Sequence, residues 1–482
     1  MNIIKLIQAI SITETATIKD ALNALNSGAI GVALLNDSDG HFCGLITDGD
    51  IRRSLLKGNG LNTSVNTIKR PKTVTAPINT PPDKLSLLLS DKIRCIPLLD
   101  NDEKVKDLFI HDKRSNIPVM EPQMGTKELQ YVSECVLTGW VSSSGKFVQQ
   151  FENIFAEFCG AKYAIATSNG TTALHLALLS LKIGKGDEVI VPTLTFIATA
   201  NAVTYTGAKP IFVDSEPKTW NIDPENIEKA ITSKTKAIIP VHLYGHPANM
   251  DLIHDIASKY NLAVIEDAAQ AHGALYKNQR VGIINSTDIG CFSFFGNKII
   301  TTGEGGMVIT NRKELYDKIR ILRDHGMSGS QRYIHHVLGY NYRMTNLQAA
   351  IGAAQMEKIE SILSTKKHIA QMYKEALRGI PGISLPPSAF WADNVYWLYS
   401  ILIDKNIFGI GRDDLMTTLK NRQIDTRPLF IPLHQQPIYN TKESLPIAEH
   451  ISSQGLSLPS SINLKLNDIK YVAKIILEQA ST

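Results

Sequence analysis

Between residues 187 and 310 the chain repeats one pattern: a short, almost continuous apolar run, then a helix-length segment of mixed polarity. The runs are DEVIVP (187–192), KPIFVD (209–214), KAIIPVHL (236–243), LAVIED (262–267), DIGCFSF (288–294) and GGMVIT (305–310). Strands apolar on both faces need cover on both faces, so the pattern predicts a largely parallel sheet between layers of helices. From 365 onward the reading changes to a helix, KHIAQMYKEAL, a strand, VYWLYSILI, and two more helices, as in a smaller α+β lobe.

A weaker periodicity fills the first hundred or so residues. GVALLNDSDGHFCGLITDGDIRR (31–53) aligns with CIPLLDNDEKVKDLFIHDKR (95–114), each reading as strand, turn, strand, then helix or loop. TIKDALNALNSG precedes the first copy with Ile18, Ala21, Leu22 and Leu25 at helical spacing, and PDKLSLLLSDK stands in the same place before the second. SNIPVMEPQMG (115–125) has the Pro and Gly content of a linker. The expected domains are therefore 1–114, a large domain over 115–364 and a small lobe over 365–482.

Composition narrows the function. Hydrophobic residues at 43% and charged residues at 20% describe a globular protein. The 50 basic and 46 acidic residues are spread along the chain, giving no concentrated field for nucleic acid. Five cysteines without a CxxC pair point to neither a zinc site nor a disulfide framework, and fit a reducing cytoplasm. The opening MNIIKLIQAI is interrupted by Lys5 and Gln8 with no cleavage pattern after it, and no apolar run is long enough to span a bilayer.

Several loops carry residue types that chemistry on an aldehyde cofactor requires. In SFFGNKIITTGEGGM, Lys298 follows an apolar strand between Gly296 and Gly303. It is either a solvated loop lysine or an amine that forms an imine, since partial burial and nearby positive charge favour the neutral, attacking form. Ser293 is a phosphate donor or an ordinary strand-terminal serine. In AVIEDAAQAHGA, Asp267 ends a buried strand, where an unpaired carboxylate is costly. Its partner is a protonated pyridine nitrogen, making the ring an electron sink, or a helix that it caps. Gln270, one turn onward, faces a ring hydroxyl or is a plain polar helix residue. ATSNGTTALHLALLSL reads as strand, turn and amphipathic helix starting near Thr171. Gly170, Thr171 and Thr172 there form an anion cradle, or an N-cap without a ligand. Phe196 in PTLTFIATANAV stacks on a cofactor ring or packs in the core. Asn341 and Arg343 in GYNYRMTNLQAAIG reach a phosphate or carboxylate, or cap the surface.

In this order and spacing the segments resemble the sugar nucleotide aminotransferases of the DegT/DnrJ type, from about Ile117 to the C-terminus, and SFFGNKIITTGEGGM is highly specific. The resemblance implies an α/β, fold type I architecture with pyridoxal 5'-phosphate as cofactor. It also implies that Lys298 is the Schiff-base lysine, Asp267 pairs with the pyridine nitrogen, Gln270 meets the ring hydroxyl and Phe196 stacks. Gly170, Thr171 and Ser293 would hold the phosphate, and Asn341 the phosphate of a neighbouring subunit, in a homodimer or higher homo-oligomer. The implied reaction is a ping-pong transamination from L-glutamate to a nucleotide-linked 4-keto-6-deoxy sugar, with Lys298 and Asp267 catalytic and no metal. Lys298 argues against a branch of the family that carries histidine there and removes a hydroxyl.

TGWVSSSGKFVQQFE (138–152) looks more like transaminases of N-acetylated UDP or GDP sugars, so base and sugar stay open. Arg427 and His434 are candidates for sugar recognition or for capping turns beside their prolines. The N-terminal module resembles a tandem pair of CBS (cystathionine β-synthase type) domains. Gly44, Thr47 and Asp50 occupy the ribose-binding G-x-x-T-x-x-D positions of the first copy, whereas the second has Asp107, Ile110 and Lys113. That implies one nucleotide site, or an oligomerisation interface with no ligand. The rival reading is a nucleotide-sensing regulatory protein in which the aminotransferase fold is a scaffold.

Overall fold

In the computed structural model the strand leading into the ATSNG turn forms β1 (Tyr163–Thr167), and the six apolar runs form β2 (Glu188–Pro192), β3 (Lys209–Val213), β4 (Thr235–Ile238), β5 (Ala263–Asp267), β6 (Ile289–Ser293) and β7 (Gly306–Thr310). They make one sheet in the order β1-β7-β6-β5-β4-β2-β3. All neighbours are parallel except β7, which is antiparallel to β6 and to β1. The described residues are 3–480, except 29, 69–72, 82, 83, 86, 87, 89–92, 94, 111–115, 328–330 and 332.

Successive residues of a strand point to opposite faces, and here they enter two separate cores. Ile190, Ile238, Val264, Phe292 and Met307 belong to one core. Their neighbours Val189, Ala237, Ile265, Cys291 and Val308 belong to the other. This is the physical reason that the strands read as continuous apolar runs. Helix α1 (Gly170–Ser180) departs from the amphipathic reading, because Ala173 through Leu178 are all buried. It lies between the sheet and the helices Ala198–Tyr205 and Lys313–Arg323, which leaves it no wet face. The run 236–243 also ends early as a strand, at Ile238; Pro240, two residues on, has no N–H to donate to a ladder.

Helix Ile359–Leu377 runs unbroken through positions 364 and 365 and leads into a smaller antiparallel sheet. That sheet pairs Ile383–Ser384, Tyr399–Ile403, Gly455–Leu458 and Arg427–Pro428 in this order. A third core, including Ile369, Tyr373, Ile401, Leu456 and Val472, fills it. Two of these strands are only two residues long, too short for a sequence pattern.

The chain divides into two compact units, Met1–Asn116 and Ile117–Thr482. In the first, the internal repeat is visible in the register. Val32–Asn36 pairs antiparallel with Phe42–Thr47, and Cys95–Leu99 with Val105–Ile110, each with a bulge next to its last pair. Gly44 opposes Leu35 as Asp107 opposes Leu98, the correspondence expected from the alignment. The connecting turns also match. Asp37 Oδ1 accepts the N–H groups of Asp39 and His41, and Asp100 Oδ1 those of Asp102 and Lys104. Helix Ile18–Gly28 forms before the first copy. Most of PDKLSLLLSDK, and Lys113 of the second motif, lie outside the described residues.

Candidate active site

The C-terminal ends of parallel strands are where an open α/β sheet leaves its loops free to build a site. The loops after β1, β2, β5 and β6 meet there around a cavity of about 420 Å³. Because β7 runs antiparallel to β6, both ends of the loop between them lie there, and it carries Glu304 as well as Lys298 to the cavity. Gly170, Thr171, Phe196, Asp267, Gln270, Ser293 and Lys298 all line the cavity. Residues read from four separated segments are thus brought together.

Lys298 sits in a tight turn, its N–H donating to Phe295 O at 2.9 Å. The side chain remains part-exposed along the cavity. Even so, burial in the surrounding protein lowers its pKa to about 8, against the opposing pull of Asp267. A neutral amine is thereby accessible close to neutral pH.

Asp267 is 4% exposed. Thr199 Oγ1 donates to its Oδ2 at 2.8 Å and the Ala269 N–H to its Oδ1 at 3.2 Å. Burial raises its pKa, and the Thr199 hydrogen bond is the first of the effects that oppose this. The expected alternative of a helix cap is corrected: residues 268–272 form turns, and the carboxylate bends back on the N–H two residues on. Gln270 lies in the same turns, not on a helix, and is 2% exposed. Its Oε1 accepts the Tyr244 N–H at 2.8 Å. A backbone N–H can only donate, so the amide oxygen must face it and Nε2 is left as the donor for the cavity.

At the start of α1, the Asn169 side chain accepts the Thr172 N–H at 2.9 Å, and the Thr172 hydroxyl donates to Asn169 O at 2.8 Å. Thr172 is therefore spent on the cap and does not line the cavity. The N–H groups of Gly170 and Thr171, the first two of the helix, have no intrahelical acceptor and stand where an anion is stabilised. Glycine is required at 170 by close approach, since a Cβ there would lie 2.7 Å from Ser293 Cβ. Gly306 has the same constraint, a Cβ there falling 2.3 Å from Asn169 O. Phe196 is 55% exposed, a large aromatic presented to the cavity instead of the core.

Other candidates fall elsewhere. Asn341 is exposed and outside the cavity of its own chain. Arg343 pairs with Asp324, and Arg427 with Asp425 at 3.0 Å. His434 is buried, held between Thr193 Oγ1 at 2.7 Å and Glu449 Oε1 at 3.0 Å, so it ties a loop instead of reaching the cavity. In the N-terminal unit Thr47 caps helix Asp48–Leu56 and forms a capping box with Asp50, whose other oxygen accepts from Arg53 at 2.7 Å. Thr199, Glu304, Trp397 and Phe430 also line the cavity but were not among the expected residues. Thr199 was within reach of a pattern argument, standing three residues after Phe196. Trp397 and Phe430 carry no local signal.

The cavity suits a phosphorylated pyridine aldehyde. A buried carboxylate awaits a cationic partner, an amide donor faces the cavity, a helix start offers free N–H groups beside a serine, and an amine of lowered pKa stands at the wall. Fold and site define a fold type I, pyridoxal phosphate-dependent aminotransferase. Residues 122–477 match the model of the DegT/DnrJ/EryC1/StrS aminotransferase family, and the chain belongs to that family. Residues 6–57 match the model of the CBS domain. GDP-perosamine synthase of Escherichia coli O157:H7 is 48% identical over 363 residues, covering 75% of this chain and 98% of the relative. GDP-perosamine synthase of Caulobacter vibrioides is 46% identical over 359 residues, 74% of this chain and 96% of the relative. The crystal structure of S. venezuelae DesV in complex with a ketimine intermediate superposes with a TM-score of 0.69 at 37% identity, covering 74% of this chain and 94% of that one. Among the described residues no helix is long and apolar enough to cross a membrane. All five cysteines are free thiols, and only Cys43 is exposed.

Proposed function

We propose that this protein transfers an amine from L-glutamate to the keto group of a nucleotide-linked 4-keto-6-deoxy sugar, converting GDP-4-keto-6-deoxymannose to GDP-perosamine for a surface polysaccharide such as O-antigen. The observation that carries this is the meeting of Lys298 and Asp267 in one cavity, in a chain similar to two GDP-perosamine synthases over almost their whole length.

Bound pyridoxal phosphate supplies an aldehyde that carries the amine and a ring that accepts electrons. Gly170, Thr171 and Ser293 would hold its phosphate, Phe196 its ring face, Gln270 its phenolic oxygen and Asp267 its ring nitrogen. Lys298 takes a proton from the substrate carbon and returns one, a task suited to an amine whose pKa lies near the working pH. Thr199 keeps Asp267 aimed by holding one of its oxygens. By the family resemblance Asn341 serves the cavity of a second copy in a homodimer, and its exposure away from the cavity of its own chain is compatible with that role.

The test offers the purified enzyme, charged with L-glutamate, GDP-4-keto-6-deoxymannose or a UDP-linked 4-keto-6-deoxy N-acetyl sugar in parallel. Product amine on the GDP sugar alone is the expected result. Turnover of only the UDP sugar would reassign the substrate, and turnover of neither would remove the sugar-nucleotide reading.

At the N-terminal unit, Gly44, Thr47 and Asp50 form a nucleotide site in the first copy of the repeat. Support comes from Gly44 at φ +154°, which leaves the backbone without a side chain there, and from the buried carboxylate of Asp50, held by Thr47 and Arg53. Equilibrium dialysis of adenine and guanine nucleotides is expected to show one site per chain that Asp50→Ala removes. Two equal sites, or retention of binding by that variant, would contradict the assignment.

A further inference from the structure

We propose that Trp397, brought from the smaller lobe, is a positioning residue for Lys298, fixing both the turn that carries the lysine and the protonated form of its amine. This rests on the reading of Lys298 as the cofactor-bearing amine and deepens it.

The indole makes two separate contacts with the lysine turn. Its Nε1 donates to Asn297 O at 2.7 Å, and Asn297 is the residue immediately before Lys298. The Lys298 N–H is bound to Phe295 O, so the turn is tied both by its own backbone and by the indole. The face of the same ring lies 3.8 Å from Lys298 Nζ, well inside the distance at which an aromatic quadrupole attracts an ammonium. An aliphatic side chain there would supply neither the donor nor the negative face.

Trp397 is itself held from two directions. It is 4% exposed. Lys366, from helix Ile359–Leu377, donates through Nζ to Trp397 O at 2.8 Å and to Ser460 O at 2.5 Å. Burial lowers the Lys366 pKa to about 7. A neutral amine has two N–H groups, so even uncharged it can satisfy both carbonyls. The indole also stacks on Tyr244, with centroids 6.1 Å apart and planes at 14°, and Tyr244 stacks on Phe430 at 5.3 Å and 10°. An indole fixed this well selects a place for the lysine instead of following it.

Other charged and titratable groups face Lys298 from the elements around it. Asp267 at the end of β5 raises its pKa, His272 is kept neutral by burial that pushes its own pKa down to about 3, and Glu304 lines the same cavity. All three persist when Trp397 is replaced, and the burial that lowers the Lys298 pKa can only relax around a smaller side chain and raise it, so a fall in the Lys298 midpoint reports the lost aromatic face.

The measurement is the pH dependence of Lys298 modification by an amine-directed reagent, followed by peptide mass spectrometry on the cofactor-free full-length chain. In Trp397→Leu the midpoint is expected to fall by about one pH unit, because the ammonium loses its aromatic face. Trp397→Phe keeps a ring face, so its midpoint should return most of the way to that of the wild type. Lacking the indole N–H, it should still lose kcat with little change in KM for the sugar. An unmoved or raised midpoint in Trp397→Leu overturns the proposal, as does a phenylalanine variant that titrates like the leucine one. If the leucine variant does not fold, the kcat-against-KM split of Trp397→Phe decides. Borohydride trapping on wild-type holoenzyme separates the two levels: an adduct at Lys298 with an unmoved midpoint removes only the role of Trp397, whereas no adduct removes the reading beneath it.

Discussion

Lys298→Ala is expected to lower the rate of amine transfer by at least about 10³-fold, the scale of losing a positioned nucleophile and proton carrier together. The turn around position 298 is held by backbone bonds and by Trp397, so the variant should keep its fold and still bind cofactor through the phosphate cradle and Asp267. The informative readout is a single turnover with the keto sugar, starting from protein already carrying the amine. A rate within a few-fold of the wild type would show that another group moves the proton, and the assignment of Lys298 would fail. Peptide mapping after borohydride treatment gives an independent check, with label at Lys298 in the wild type and none at that peptide in the variant.

Asp267→Asn is the second large effect. The amide keeps the size of the carboxylate and can still accept from Thr199, so the change is one of charge more than of shape. Loss of a preorganised charge aimed at the reacting system costs about 10²- to 10³-fold in kcat. The sign of a second consequence follows from the electrostatics. Asp267 raises the pKa of Lys298, so removing its charge should drop that pKa further below about 8 and move the acidic limb of the rate profile to lower pH. A profile that stays in place, or a loss confined to KM, would mean that the carboxylate serves only to order the loop.

How much of this was legible in the chain differs from loop to loop. Asp267 and Ser293 end apolar strands, and Gly170 and Lys298 follow within a few residues of strand ends, so the apolar pattern along the chain already points to their loops. A strand end in a sheet covered on both faces has only one direction in which to send its loop, so a local pattern is enough. Thr172 shows the limit: its side chain reads like a third anion donor, and only the cap geometry reveals that it is spent on Asn169. His434 shows the same from the other side, since a histidine between prolines gives no sign that both ring nitrogens are taken, one by Thr193 and the other by Glu449.

The sequence by itself determined the strand pattern, the internal repeat of the N-terminal unit, and the residues at and just beyond the strand ends that suit a pyridoxal phosphate site. These depend on contacts between residues close in the chain, or on a periodicity that any segment carries with it. Tertiary structure alone decided that β7 runs against its neighbours, that α1 has no wet face, and that Trp397 reaches back across 99 positions to the lysine turn at Lys298. Such contacts are set by how whole layers pack, and the free energy that selects them is spread over both cores instead of residing in any short run of residues.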